Sequence, residues 1–203
     1  GILGMVVFNL TDTFFVSRLG TAHLAALSFT FPVVLVLTRF ALGLGVGAAS
    51  VVSRAIGMGD WKFVRRLTTD GLALALSFVL VFVIAGSLTI EKVFGALGAE
   101  GEILGLVKEY MSIWYWGLLF VVFPMVSNNA IRATGDTRTP AAIMLVGASV
   151  NLILDPILIF GLGPFPRMEI AGAALATVIA RMTTFGVSFY VIYRRLGMIT
   201  FEK

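Results

Sequence analysis

The chain has 203 residues, of which 59% are hydrophobic and 13% charged, with a formal net charge of +4. That charged share is about half the roughly 25% usual in soluble domains, and mean hydropathy is +1.00. There are too few polar groups to cover a water-soluble domain of this size, which excludes a cytosolic enzyme, a disordered tail and a disulfide scaffold. With no cysteine and a single histidine there is no thiolate metal site, and little scope for a His-based zinc centre or a Ser-His-Asp triad. The composition is that of a polytopic membrane protein. Its positive charge reads as basic loops facing one side of a bilayer, not as a nucleic-acid surface.

A helix crossing the hydrocarbon core needs about 20 mostly apolar residues. Six segments approach this, at about 1–17, 22–53, 69–90, 107–133, 139–162 and 170–193. The first is short and starts on Gly1 instead of a methionine, so it reads as a helix cut at its start. Runs such as 72–85 do not alternate as barrel strands do, so the fold is expected to be all-α. No long polar stretch separates the segments. Residues 1–203 are therefore expected to form a single six-helix membrane unit.

The basic residues predict the orientation. Arg54, Lys62, Arg65, Arg66, Arg132, Arg138, Arg194, Arg195 and Lys203 fall on one side, and Arg18, Lys92, Lys108 and Arg167 on the other. The richer side is expected to be cytoplasmic, which places both ends of the segment there, in a plasma or inner membrane. Arg39 and Arg181 remain inside predicted spans. Tyr110, Trp114, Tyr115 and Trp116 fit either an interfacial aromatic belt or ordinary packing. His23, in a short outer loop, is expected to be exposed.

In the second segment, Gly43, Gly45 and Gly47 suit close helix packing. A phosphate loop would need a preceding strand and a following Lys-Ser/Thr, and neither is present.

Ionisable groups inside a bilayer cost about 2.5–3.5 kcal/mol on insertion scales and usually face a cavity. Asp12 shares a helix face with Asn9, three residues before it. Asn151 and Asp155, four apart, stack on one face of the fifth segment. Pro156 follows at once; it removes a backbone donor and is expected to kink the helix and free the Leu152 carbonyl. A carboxylate, an amide and a free carbonyl within one turn suit a small hard cation, or a carboxyl that gains and loses a proton. The plainer alternatives are an Asp12 hydrated at the outer interface and an Asp155 solvated at a kinked helix end. Arg39 is expected either to pair with an acid in the cavity or to snorkel. Arg181 has the same two choices, with Thr177 one turn earlier on its face. Nothing resembles a catalytic constellation. Two aspartates would suit an intramembrane aspartyl protease, but no second motif supports one.

Taken together, several stretches resemble one family. Asp12 through Gly20 resembles the first-helix signature of multidrug and toxic compound extrusion (MATE) transporters. Gly43–Gly47, Ser53–Asp60, Asn129–Pro140, Asn151–Pro156 and Gly172–Thr177 follow in the family's order and cover nearly the whole chain. The resemblance implies a twelve-helix transporter of two six-helix lobes, of which this chain would be the amino-terminal one, the carboxy-terminal lobe lying outside it. It implies exchange of cationic or amphipathic organic compounds for protons or sodium ions, with no cofactor and no enzyme activity. Carried over residue by residue, it places the coupling site, including any Na+ ligands, at Asp12, Asn151 and Asp155. A helix-six polar residue, Thr177, joins them. Arg39 departs from the family's apolar second helix. Two alternatives remain: a lipid-linked oligosaccharide or polysaccharide flippase of the same superfamily, which should show more basic cavity residues, and a non-transporting membrane module.

Overall fold

The computed structural model describes the backbone of residues 2–199 and the side chains of residues 10–199. It contains six α-helices: α1 (Ile2–Ser17), α2 (Thr21–Gly57), α3 (Trp61–Ala96), α4 (Gly101–Ala133), α5 (Arg138–Phe160) and α6 (Glu169–Tyr190). A π-helical turn, Val191–Arg195, continues α6. Five of the six, α2 to α6, are long and apolar enough to cross a membrane. The all-α, six-helix expectation holds.

The helices outrun the apolar segments. α3 begins at Trp61, not at 69, and ends at Ala96, not at 90. Its start is set by Asp60, whose carboxylate accepts the Phe63 N–H at 3.0 Å and satisfies one of the free donors of the first turn. Lys62, Arg65 and Arg66, expected in a loop, therefore lie on the first turns of α3, and Arg54 lies on the last turn of α2. Hydrophobicity marks the stretch in lipid, but hydrogen bonding continues past it into water.

α4 is the central helix and packs against α2, α3 and α6. Val107, Met111, Leu118, Val122 and Ile131 are all fully buried, and buried positions run round the whole cylinder, as in a helix enclosed by others. Tyr110, Trp114 and Tyr115 belong to this core, and Trp116 is exposed. Packing, not an aromatic belt, accounts for the first three.

In a lipid solvent, association relies on close backbone approach at small residues. A Cβ on Gly45 would lie 2.7 Å from the Asn129 amide nitrogen of α4, one on Gly86 2.4 Å from the Tyr115 ring, and one on Gly117 2.5 Å from Val178 of α6. The expected role of the helix-two glycines is therefore met by Gly45 alone. Gly43 and Gly47 have nothing within 4 Å and line a groove of about 880 Å³ between α2 and α3.

At the end of the bundle where α2 and α6 start, His23 is not the exposed loop residue anticipated. It sits half-buried in the first turn of α2, with Nε2 3.2 Å from Glu169 Oε2 at the start of α6. Glu169 also holds Arg167 at 3.2 Å and has a φ of 50°, unusual for a residue with a side chain. The partner across the fold, 146 residues away, explains why the sequence alone misplaced His23.

At the opposite end, Asp136 organises the turn into α5. Its Oδ1 accepts the N–H groups of Arg138 and Thr139, both at 3.0 Å, and its Oδ2 accepts the Thr139 hydroxyl. The Thr139 hydroxyl, and then its N–H, hold the carboxyl below the usual aspartate range. A depressed folded-state pKa stabilises above the unfolded value, and the benefit is lost as the pH falls through the folded one. Asp136→Ala should therefore unfold at a lower temperature than wild type at neutral pH. The gap should close as the pH falls below the carboxylate range in a thermal melt of detergent-solubilised protein.

Candidate functional site

The polar residues of α5 and α6 fall on their buried stripes. On α5 the buried positions Ile143, Gly147, Asn151, Asp155 and Leu158 recur at helical spacing. On α6 the stripe includes Ala173, Thr177, Ala180, Thr184 and Ser188. Two glycines draw these faces together. A Cβ on Gly147 would lie 2.5 Å from the Thr184 methyl, and one on Gly172 would lie 2.5 Å from the Leu158 carbonyl oxygen. α1 packs mainly on α5, with further contacts to α2 and α6.

Three helices thus bring Asp12, Asn151, Asp155 and Thr177 together, all four of them buried. Thr177 donates its hydroxyl to Asp12 Oδ2 at 3.2 Å, across 165 residues of sequence. Asn151 donates its amide to Asp155 Oδ1 at 3.1 Å and lies within reach of Asp12 as well. The two carboxyls approach closely enough to share a hydrogen bond. Asp12 Oδ1, Asn151 Oδ1 and Asp155 Oδ2 are buried acceptors that no protein donor meets. Burial of both aspartates removes the hydrated alternatives for them.

A set of buried oxygens with more acceptors than donors suits a proton or a small hard monovalent cation, since either would supply the missing positive partner. Among the described residues no group of three or more His, Cys, Asp or Glu side chains converges as a metal site.

Arg39 does not join this cluster. It is exposed, on the wall of the α2–α3 groove that also holds Asp70. The reason is rotational: Arg39 lies two positions before Ala41, which α2 buries, and so projects away from the buried face. The side chain of Asn9 lies outside the described residues. Pro156 sits within α5, which runs on to Phe160.

Two more residues stand beside the cluster: Arg181, expected either to pair with a cavity acid or to snorkel, and Tyr110, which sequence reasoning did not connect with it. Arg181 of α6 lies within electrostatic reach of Asp12 and of the Tyr110 hydroxyl, and Tyr110 of α4 faces both aspartates and Arg181. The i, i+4 spacing of Thr177 and Arg181 was the available signal for one. Nothing local distinguished Tyr110 from its aromatic neighbours.

The family model for MatE matches residues 2–157. The chain belongs to the MATE family. It is 46% identical over 201 residues to a protein named FAD transporter from Shewanella oneidensis, covering 98% of this chain and 44% of that one. It is 32% identical over 198 residues to the multidrug export protein MepA of Staphylococcus aureus, covering 95% and 42%. Among solved structures, an outward-facing multidrug resistance MATE transporter of the MOP superfamily superposes with a TM-score of 0.89 at 33% identity, covering 98% of this chain and 44% of that chain. This MATE chain therefore spans less than half the length of the relatives it matches, and the residues it does span form a multi-pass membrane lobe of a transporter family.

Proposed function

We propose that this chain is the amino-terminal lobe of a secondary antiporter that exports organic compounds in exchange for protons or sodium ions. The observation that carries the reading is the Thr177–Asp12 hydrogen bond, which joins α1 and α6 to the Asn151–Asp155 pair of α5 in one buried, oxygen-rich cluster. A coupling cation held by Asp12, Asn151 and Asp155 would favour one facing state and the exported compound the other. Ligands drive such an equilibrium only through different affinities for the two states. The cargo class is cationic or amphipathic drugs; support for drug export is that MepA is named a multidrug export protein and YoeA of Bacillus subtilis a probable multidrug resistance protein. The second lobe of the same chain completes the cavity. The excess of basic residues at the α2–α3 and α4–α5 ends and after α6 supports an orientation with both ends of the segment at the cytoplasmic face of the cell membrane.

One observation favours a second cargo, a flavin dinucleotide. Identity to the FAD transporter is 46%, against 32% to MepA and 29% to YoeA. Such an anion needs a cationic contact, and Arg39 on the exposed face of α2 is available for it.

Full-length protein reconstituted in liposomes separates the readings. With a proton or sodium gradient imposed, accumulation of a cationic dye that collapses with the gradient supports the drug antiporter. Accumulation of FAD without the dye supports the second cargo. Flux of neither, with peptide cleavage, would make the protein an enzyme.

A further inference from the structure

Neither role expected of Arg39 fits its place. It stands fourteen residues from the nearer end of the apolar run 22–53, or about 21 Å of helix. That is farther than an arginine stem extends, so the guanidinium cannot snorkel to a headgroup. Nor does it pair with an acid: among the described residues no hydrogen bond or ion pair engages Arg39. Asp70 lines the same groove but is out of reach. It precedes Gly71, which packs on Ala48, nine residues along α2 from Arg39 and about 13 Å away. The partner of Asp70 is Arg66, Nε to Oδ2 3.7 Å. A free guanidinium among acyl chains at that depth is expensive, and such residues face a water-filled cavity. The groove that holds Arg39 therefore opens on the transport cavity and not on lipid.

Its shape is that of an apolar slot. Gly43 and Gly47, one turn apart, leave its α2 side bare, with nothing within 4 Å of a Cβ on either. Leu44, Leu74 and Ala75 line it further. Phe40, stacked on Phe78 at 5.4 Å, flanks Arg39. At about 880 Å³ the groove has the size of a small-molecule site, with many apolar walls and few polar groups. A flat apolar stretch accepts a fused ring system, and an exposed aromatic ring offers it a stacking partner. The planar fork of an arginine matches a phosphate with two parallel hydrogen bonds.

We propose that this groove seats the cargo and selects planar aromatic compounds that carry a phosphate. The rings lie along Gly43 and Gly47 against Phe40, and Arg39 holds the phosphate. The inference rests on the second cargo reading and deepens it, with Arg39 as the residue that sets specificity. The seat is separate from the Asp12–Asp155 cluster, which belongs to α1 and α5.

Equilibrium binding to the purified full-length protein in phosphatidylcholine nanodiscs tests it, read by the fluorescence anisotropy of FAD, FMN and riboflavin. Arg39→Gln should weaken FAD and FMN about tenfold or more, through loss of a charged hydrogen-bond partner. Riboflavin has the same rings without a phosphate, and its affinity should not change. Arg39→Lys should recover part of the loss, as a point charge without the fork. Gly47→Leu should weaken FAD by filling the groove, and should fold because its side chain meets open space. Equal FAD affinity in wild type and Arg39→Gln, or FAD binding untouched by Gly47→Leu, overturns the proposal and leaves the cargo reading standing. A Gly47→Leu variant that cannot be recovered folded overturns it as well, because the groove is then covered by the second lobe or by lipid. A wild type that binds none of the three flavins overturns the cargo reading too. No gradient enters this measurement, so the antiport reading is tested separately, by the uphill flux of Asp155→Asn.

Discussion

Asp155→Asn abolishes gradient-driven export while leaving the protein folded and in the membrane. Asparagine has nearly the same shape and can still meet Asn151, so packing around α5 is preserved. The change also removes an acid from a fully buried position, which relieves rather than adds a burial cost. It does remove the group that can take up a cation. To swing two facing states from about 1:99 to 99:1, a ligand must prefer one by about 10⁴-fold, or roughly 5.5 kcal/mol. A neutral amide cannot supply that preference for a proton. Export against a gradient should fall to the level of wild-type protein with the gradient dissipated. Asp12→Asn should behave likewise, because it removes the second buried carboxyl of the same cluster. The check is uphill substrate flux beside a monodispersity profile in detergent. Undiminished uphill transport in both variants would remove the coupling role from this site.

The second large effect is structural. Gly172 lies where α6 crosses α5, and a Cβ there would sit 2.5 Å from the Leu158 carbonyl oxygen and 2.9 Å from the Ile159 nitrogen. These are backbone atoms, so no side-chain rotation relieves the clash and the two helices must separate. Asp155 lies less than one turn before Leu158, and Thr177 little more than one turn after Gly172, so separation also loosens the site. Gly172→Ala should cost about 1–3 kcal/mol or more by overpacking, and Gly172→Val should prevent recovery of folded protein. Gly43→Ala is the control. With nothing within 4 Å, its Cβ meets only open space, and replacing a mid-helix glycine should raise stability by roughly 0.5–1 kcal/mol. Thermal melts in detergent should move in opposite directions for the two alanine variants. A neutral Gly172→Ala would contradict the packing described for α5 and α6.

The contrast between these glycines shows what the sequence carried. Segments 22–53, 107–133, 139–162 and 170–193 were legible because insertion into lipid demands a continuous apolar run, and that demand is local. The polar core of the site was legible for the same reason. Asp12, Asn151, Asp155 and Thr177 are polar where polarity is costly, and the MATE-like motifs around them fixed their roles as expectations. What stayed hidden depends on which way a helix faces. Arg39 and Arg181 look alike in sequence, each a lone arginine in a span. α2 turns Arg39 outward to the groove with Asp70, whereas α6 turns Arg181 inward to Asp12. Likewise Gly45 contacts α4 while Gly43, two residues away, contacts nothing. His23 was misread, and Tyr110 left unconnected with the site, because their partners, Glu169 and the aspartates, come from helices distant in sequence. Rotation about a helix axis is a tertiary property, and no short window of sequence encodes it.

The central claim is that cation and cargo compete through the Asp12–Asp155 cluster. The most direct measurement adds cargo to purified full-length protein in weakly buffered solution, either a cationic dye or FAD according to which one the liposomes accumulate. Released protons, or released 22Na+ after preloading, are then counted. Wild type should release its bound cation as the molecule binds, and Asp155→Asn should bind the same molecule with no release. Binding without cation release in the wild type, or equal release from Asp155→Asn, would contradict it.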